Sequence, residues 1–183
     1  MGLLARDLSL AYNAALRGED ARLTAPSLTY QHLATAERKD LVGAKLETLT
    51  SEWRALLQDA PHSTALPADR ALPPVLDAAG ALRRFELSAA ASAGVLRLAS
   101  QTQSTPYQVL LALLGAFLAR TAQAETVVIG TSYAGRDRLG STEVMGAFVN
   151  TLPIPLTLPG ATTLDVALQT CQANLRRAIG AGR

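Results

Sequence analysis

The order of apolar and polar positions divides this chain into helical and extended stretches. In residues 3–17, Leu4, Leu8, Ala11 and Ala15, with Tyr12 beside them, recur at intervals of three and four. That is the period of a helix with one apolar face, and Gly18 offers its stop. No Ser, Thr, Asp or Asn stands before the pattern as an N-cap, because Met1-Gly2 runs straight into it. Such a start suggests either a chain cut from something longer or a first turn that frays. Residues 19–30, with Pro26, predict a loop. One helical region then runs from about Tyr30 to Gln58, striped by Val42, Leu46, Leu49, Trp53 and Leu56. Trp53 reads as a core anchor.

Residues 59–80 hold Pro61, Pro67, Pro73, Pro74 and Gly80. They predict a long surface connection, either a crossing within one domain or a linker between two. Arg84 to Leu87 reads as a short strand with Phe85 and Leu87 on one face. Ser88 then caps a helix to about Gln103, with Val95, Leu96 and Ala99 inward. Thr105-Pro106-Tyr107-Gln108 is a helix start with three signals: a capping Thr, a Pro at the first helical position and a Gln that closes a capping box. The helix it opens carries Leu110, Leu111, Leu113, Leu114, Phe117 and Leu118, nearly all round, and is expected to be central and buried.

Thr126 to Ser132 predicts a strand covered on both faces, because its centre lacks polar alternation. A second strand runs from Ala147 to Leu158. Its even positions are Phe148, Asn150, Leu152, Ile154, Leu156 and Leu158, so Asn150 interrupts an apolar face. Pro153 and Pro155 share the odd parity, which puts both missing N–H groups on one edge and predicts an edge strand. A last helix, from about Thr163 to Ile179, is striped by Leu164, Leu168, Cys171 and Leu175. Cys171 there reads as a small buried hydrophobe.

Composition narrows the function classes. The chain has 183 residues, 49% of them hydrophobic but only 4% aromatic, so a core of Leu, Val and Ala is affordable. A net charge of +2, with no basic run longer than a pair, argues against nucleic acid. The longest apolar block, Val109 to Leu118, is about half of a membrane span. One cysteine and no visible signal peptide favour the cytoplasm. His32 and His62 lack ligand-spaced partners, which argues against a metal. No Gly-x-Ser-x-Gly elbow and no Gly-rich phosphate loop is present. The residues alone thus hold no self-contained catalytic constellation. Two of them stand out. Arg136 follows Gly135 at the end of a buried strand, where it either caps the sheet or fixes another segment through a charge pair. Asn150 either satisfies nearby backbone or lines a channel.

The segment between the two strands is distinctive. Gly130-Thr131-Ser132 followed by Ala134-Gly135-Arg136, then Met145-Gly146-Ala147-Phe148-Val149-Asn150-Thr151-Leu152, resembles the GTP-x-x-GR and (I/V)-G-x-F-V-N-T-L segments of condensation domains from non-ribosomal peptide synthetases. The resemblance extends over nearly the whole chain. Gly2 to Leu8 resembles the helix after the HHxxxDG motif. Tyr30-Gln31-His32-Leu33-Ala34 resembles Y-x-D-(F/Y)-A-x-W, with His32 and Ala36 in place of its Asp and Trp. Glu52-Trp53-Arg54 and Leu66-Pro67-Ala68-Asp69-Arg70 resemble Y-W-R and L-P-x-D-R. The F-V-N-T wording favours condensation over the related epimerisation domains.

The resemblance implies an α/β fold like chloramphenicol acetyltransferase, mostly the C-terminal half of a condensation domain. Residues 1–18 would be a helix continuing from an N-terminal half, and residues 19–183 an incomplete C-terminal subdomain. HHxxxDG would lie just before Met1, and H-Q-D-x-P-F-E just after Arg183. The implied reaction joins a carrier-bound acyl thioester donor to a carrier-bound aminoacyl acceptor as an amide. The chain alone would lack the catalytic histidines. Arg136 matches the family arginine that pairs with the Asp of HHxxxDG, a structural role. Gly135, Gly146, Phe148, Asn150 and Thr151 match the signature near the tunnel between the halves. Partners would be the donor and acceptor carriers, the N-terminal condensation half and other synthetase domains. No cofactor would be bound directly, since the phosphopantetheine arms arrive on the carriers. Two other readings fit: a CoA- or carrier-dependent acyltransferase of the same superfamily, and a non-catalytic remnant that docks carriers.

Overall fold

The computed structural model describes residues 2–63, 66–69, 74–75, 80–138 and 140–182. Its elements are α1 (Gly2–Leu16), α2 (Tyr30–Asp40), α3 (Gly43–Leu57), α4 (Ala89–Gln101), α5 (Pro106–Thr121), β1 (Thr126–Tyr133), β2 (Asn150–Thr157) and α6 (Leu164–Ala181). The two strands form one sheet, giving a mixed α/β architecture. The chain makes two compact units. One comprises Met1–Trp53, Ser132–Thr151 and Ala181–Arg183, and the other Arg54–Thr131 and Leu152–Gly180.

The second unit carries the denser core. Leu152, Ile154 and Leu156 of β2 are fully buried, as are Val109 of α5, Val127 of β1, and Leu168 and Cys171 of α6. Each such side chain gains about 1.5–3 kcal/mol over its exposed state. The even positions of β2 are thus buried from Leu152 onward, but Pro155 of the odd set is buried too, so the burial does not strictly alternate. α5 reaches this face because Gly115 leaves room: a Cβ there would run into the Leu156 side chain. The capping box forms as the sequence spells it. Thr105 Oγ1 accepts from the Gln108 amide at 3.2 Å, and Gln108 Oε1 accepts from the Thr105 amide at 2.8 Å. Ser88 caps α4 by accepting from the Ala91 amide. Cys171 is sealed in, its thiol pointing to the Gln108 carbonyl at 3.7 Å, and burial pushes its pKa up to about 11.

Several expectations are corrected. The helical region after Tyr30 is two helices, because Leu41 leaves helical geometry and Gly43 takes φ +55, a value glycine accepts without strain. Trp53 is only partly buried, and its indole N–H donates to the Ala181 carbonyl at 3.1 Å. The face of α1 that carries Leu4, Leu8 and Tyr12 is exposed, and Ala14 is the buried position. α5 buries Val109, Leu111, Ala112, Gly115 and Ala119, whereas Leu110, Leu113, Leu114 and Phe117 form an exposed face, Phe117 at 63%. Leu96 of α4 is exposed as well. Arg84 to Leu87 is not a strand. Among the described residues no neighbouring strand pairs its backbone, and Phe85 is 82% exposed, so nothing rewards extension. β1 is fully buried at Val127 but only half-buried at Val128 and Ile129, so its faces are not both covered. β2 begins at Asn150 rather than Ala147. Part of the 59–80 connection, including Arg70 and Pro73, lies outside the described residues.

Candidate functional site

The candidate site residues lie on the loop from Ala134 to Val149 and at the first positions of β2, within the first unit. The chain leaves β1 through Gly135, whose φ is +61. A side chain here would be strained, and a Cβ would strike the Phe148 carbonyl oxygen. Gly135 thus lets the outgoing chain lie against the returning one. Arg136 follows and turns its guanidinium onto the loop. Nη1 donates to the carbonyls of Ser141 and Val144, the latter at 2.9 Å, and Nη2 donates to the Gly146 carbonyl at 3.3 Å. None of these acceptors is a carboxylate, so the fork is fixed in place while its charge remains.

The loop is closed on its other side by aromatic packing. The Arg136 guanidinium carbon lies 4.3 Å from the centroid of the Phe148 ring, a cation–π arrangement. Phe148 in turn meets Tyr30 edge to face, with centroids 5.1 Å apart and planes at 82°. Tyr30 Oη donates to the Ala147 carbonyl at 3.0 Å. A Cβ on Gly146 would collide with the Tyr30 ring, so glycine is what admits the ring at that depth. Gly135, Arg136, Gly146 and Phe148 are therefore brought together as one interlocked turn.

Asn150 and Thr151 stand apart from this lock. Asn150 is exposed and not a buried interruption of the strand face; its Oδ1 accepts from the Thr151 amide at 2.8 Å. It lines a cavity of about 300 Å³ together with Tyr30, Glu37, Tyr133 and Phe148. Thr151 is exposed.

Tyr30 is the residue whose place the motif reading did not assign. Its signal was indirect: a glycine that leaves room for a ring standing 117 positions from the carbonyl it bonds. His32 also has a local role the motif did not spell. The His32 amide donates to Thr29 Oγ1 and the Thr29 amide donates to His32 Nδ1, both at 3.3 Å, so His32 completes the capping box of α2.

A second cavity, of about 590 Å³, is bordered by Gly2, Leu3, Leu4 and Arg6 of α1 and by Arg136, Thr142, Met145 and Gly146. Arg6 donates to Asp7 at 2.9 Å and to Glu143 at 3.3 Å, and these two carboxylates raise its pKa above the ordinary value. The start of α1 and the site arginine thus share one hollow. Among the described residues no three His, Cys, Asp or Glu gather as metal ligands, and no helix is long and apolar enough to cross a membrane.

Comparison with known proteins gives this arrangement its family. A family model described as the condensation domain matches residues 1–182. The chain is 35% identical over 173 residues to phosphinothricin tripeptide synthetase PhsC of Streptomyces viridochromogenes, covering 94% of this chain and 16% of that protein. It is 30% identical over 169 residues to malpinin synthetase of Mortierella alpina, covering 92% of this chain and 2% of that one. Among solved structures, it superposes on the first condensation domain of the CDA synthetase with a TM-score of 0.76 at 22% identity, over 96% of this chain and 39% of that chain. It superposes on the X-domain in complex with OxyB from teicoplanin biosynthesis with a TM-score of 0.90 at 24% identity, over 99% and 41%. The chain spans a small fraction of its curated relatives and about two-fifths of the solved domains. Its fold is that of part of a chloramphenicol acetyltransferase-like α/β domain, and the chain belongs to the condensation-domain family of non-ribosomal peptide synthetases.

Proposed function

We propose that this chain supplies part of an amide-forming condensation site. The acceptor amine of a carrier-bound aminoacyl group attacks the thioester carbon of a carrier-bound donor. The C–N bond forms, the C–S bond breaks, the amine gives up a proton and the donor carrier's phosphopantetheine leaves as a thiol. The chain holds only His32 and His62, neither in an HHxxxDG motif, so the catalytic histidines would come from another segment. The chain's own contribution is positioning. Arg136, fixed by three carbonyls and a ring, presents a charge to the Asp of HHxxxDG and holds that loop. Gly135, Gly146 and Phe148 shape the arginine's seat, and Asn150 and Thr151 border the tunnel.

The observation that carries this reading is the cavity shared by Arg136 and the first residues of α1. By resemblance, HHxxxDG would lie just before Met1, so a segment leading into α1 would arrive beside the guanidinium. α1 then belongs with an N-terminal half and the remainder with the C-terminal one. The natural partners are donor and acceptor carriers and neighbouring synthetase domains in the cytoplasm, and the only prosthetic groups are the carriers' phosphopantetheine arms.

The reading is tested by offering a complete domain containing this chain its acyl donor in two forms, on a carrier protein and as a CoA thioester with a free acceptor. Product from the carrier-bound pair alone supports condensation. Product from the CoA thioester and free acceptor would replace it with acyltransfer, and carrier binding without any product would favour the docking role.

A further inference from the structure

Tyr30 opens α2 and is 42% exposed, so burial of its ring does not account for its placement. Its backbone is fixed all the same. Thr29 and His32 close the capping box, which sets where α2 begins and where the Tyr30 side chain leaves the helix. The ring occupies the space that Gly146 leaves and meets the Phe148 ring edge to face. The hydroxyl donates to the Ala147 carbonyl at 3.0 Å.

These contacts bear on Arg136 without touching it. The carbonyls of Gly146 and Ala147 are neighbours in the chain, and each has its own holder. Arg136 Nη2 donates to the first and Tyr30 Oη to the second. The Phe148 ring is shared in the same way, with the guanidinium 4.3 Å from its centroid and the Tyr30 ring at 82° to it. Residues 146–148 are thus clamped between a cation and a phenol, all within the first unit. Arg136 and Gly146 border the hollow at the start of α1, whereas Tyr30 borders the other cavity, with Glu37 and Tyr133. Arginine has a long, rotamer-rich side chain, and its fork is held only while the carbonyls it reads stay in place.

We propose that Tyr30 is a positioning residue for condensation. By holding the Ala147 carbonyl and the Phe148 ring, it keeps residues 146–148 against Arg136 and so keeps the guanidinium at the α1 hollow. The inference rests on the amide-forming reading of this site and adds to it a residue on another element. A loosened segment lets the guanidinium shift, and a misplacement of about 1 Å in a positioning group can lower a rate by as much as about a hundredfold.

The test uses a complete domain containing this chain, with loaded donor and acceptor carriers. Tyr30→Phe keeps the ring and removes only the hydroxyl. It is expected to lower kcat by about three- to tenfold and to leave KM for both carriers unchanged, because the lost interaction orients a group and binds no substrate. In an Arg136→Ala background the same change is expected to alter kcat by less than about twofold, since the residue it acts through is gone. Tyr30→Ala removes ring and hydroxyl together and is expected to lower kcat further than Tyr30→Phe does. Thr105→Ala, which removes a cap of α5, controls for lost stability and is expected to leave kcat unchanged. With an active parent domain, an unaltered kcat in Tyr30→Phe would overturn the proposal and leave condensation standing. So would an undiminished effect in the Arg136→Ala background, a change in KM alone, or an equal loss in Thr105→Ala. A parent domain that forms no amide from carrier-bound substrates would overturn the amide-forming reading, and the role of Tyr30 with it. Should Tyr30→Ala fail to fold, Tyr30→Phe and its cycle with Arg136→Ala decide.

Discussion

The Arg136 guanidinium stacks on the Phe148 ring, 4.3 Å from its centroid, while its nitrogens hold three carbonyls of the intervening loop. One side chain thereby ties the exit of β1 to the entry of β2. Lysine keeps the charge but not the planar fork. Arg136→Lys is therefore expected to destabilise the chain by about 1–3 kcal/mol, the scale of lost hydrogen bonds from a charged group. Urea denaturation measures it, and a loss below about 0.5 kcal/mol, the level of an ordinary surface change, would mean the fork is dispensable.

Gly146 admits the Tyr30 ring, so Gly146→Ala forces the ring or the loop to move. The expected cost is about 1–3 kcal/mol, typical of overpacking. In a Tyr30→Ala background the obstacle is gone, and the cost of Gly146→Ala is expected to shrink by more than half. A double-mutant cycle by thermal or urea unfolding checks this, and additive effects would show that the two residues do not meet.

Thr105 and Gln108 satisfy each other's backbone at the start of α5. Thr105→Ala is expected to cost about 1 kcal/mol by removing the cap. Thr105→Ser, which keeps the hydroxyl, is expected to cost only a small part of that. Equal losses for both variants would shift the role from the hydroxyl to the methyl group.

Cys171 ionises near pH 9.0 when unfolded but only at about 11 in the fold, because burial disfavours the thiolate. The folded state therefore holds its proton over a range where the unfolded state has released it, and stability falls as pH rises from about 9 toward 11. Cys171→Ala lacks this component, so its stability is expected to decline less steeply over that range. The comparison is urea unfolding at pH 8, 9, 10 and 11, and parallel curves would contradict the assignment. The same burial predicts slow reaction of the native thiol with a disulfide reagent at pH 8, and fast reaction in urea.

Local signals in the chain read well, and distant ones did not. The caps at Ser88 and Thr105, the parity of β2 and the stripe of α6 each depend on residues within a few positions of one another, so spacing alone reveals them. The motif wording assigns Arg136 to a charge pair and Gly135, Gly146, Phe148, Asn150 and Thr151 to the tunnel, and it does not show that Gly135, Arg136, Gly146 and Phe148 interlock. Tyr30 was not assigned to that site because its contacts with Ala147 and Phe148 cross more than a hundred residues. The exposed flank of α5 was unreadable because periodicity shows which positions are apolar, not which of them have a neighbour. Arg84 to Leu87 had strand-like residues but no partner strand, and pairing rather than propensity decides a strand. Asn150 broke an apolar alternation, yet β2 starts at that residue, so the break marks the strand's end and not its core.

The most direct test of the account is amide formation followed by intact-mass spectrometry of loaded donor and acceptor carriers. It is run with this chain alone, with the histidine-bearing N-terminal half added, and with that half plus Arg136→Ala. The acceptor carrier is expected to gain the donor's acyl mass only when the histidine-bearing half is present, and Arg136→Ala is expected to lower the rate at least tenfold. Product from this chain alone would contradict it, as would an undiminished rate with Arg136→Ala.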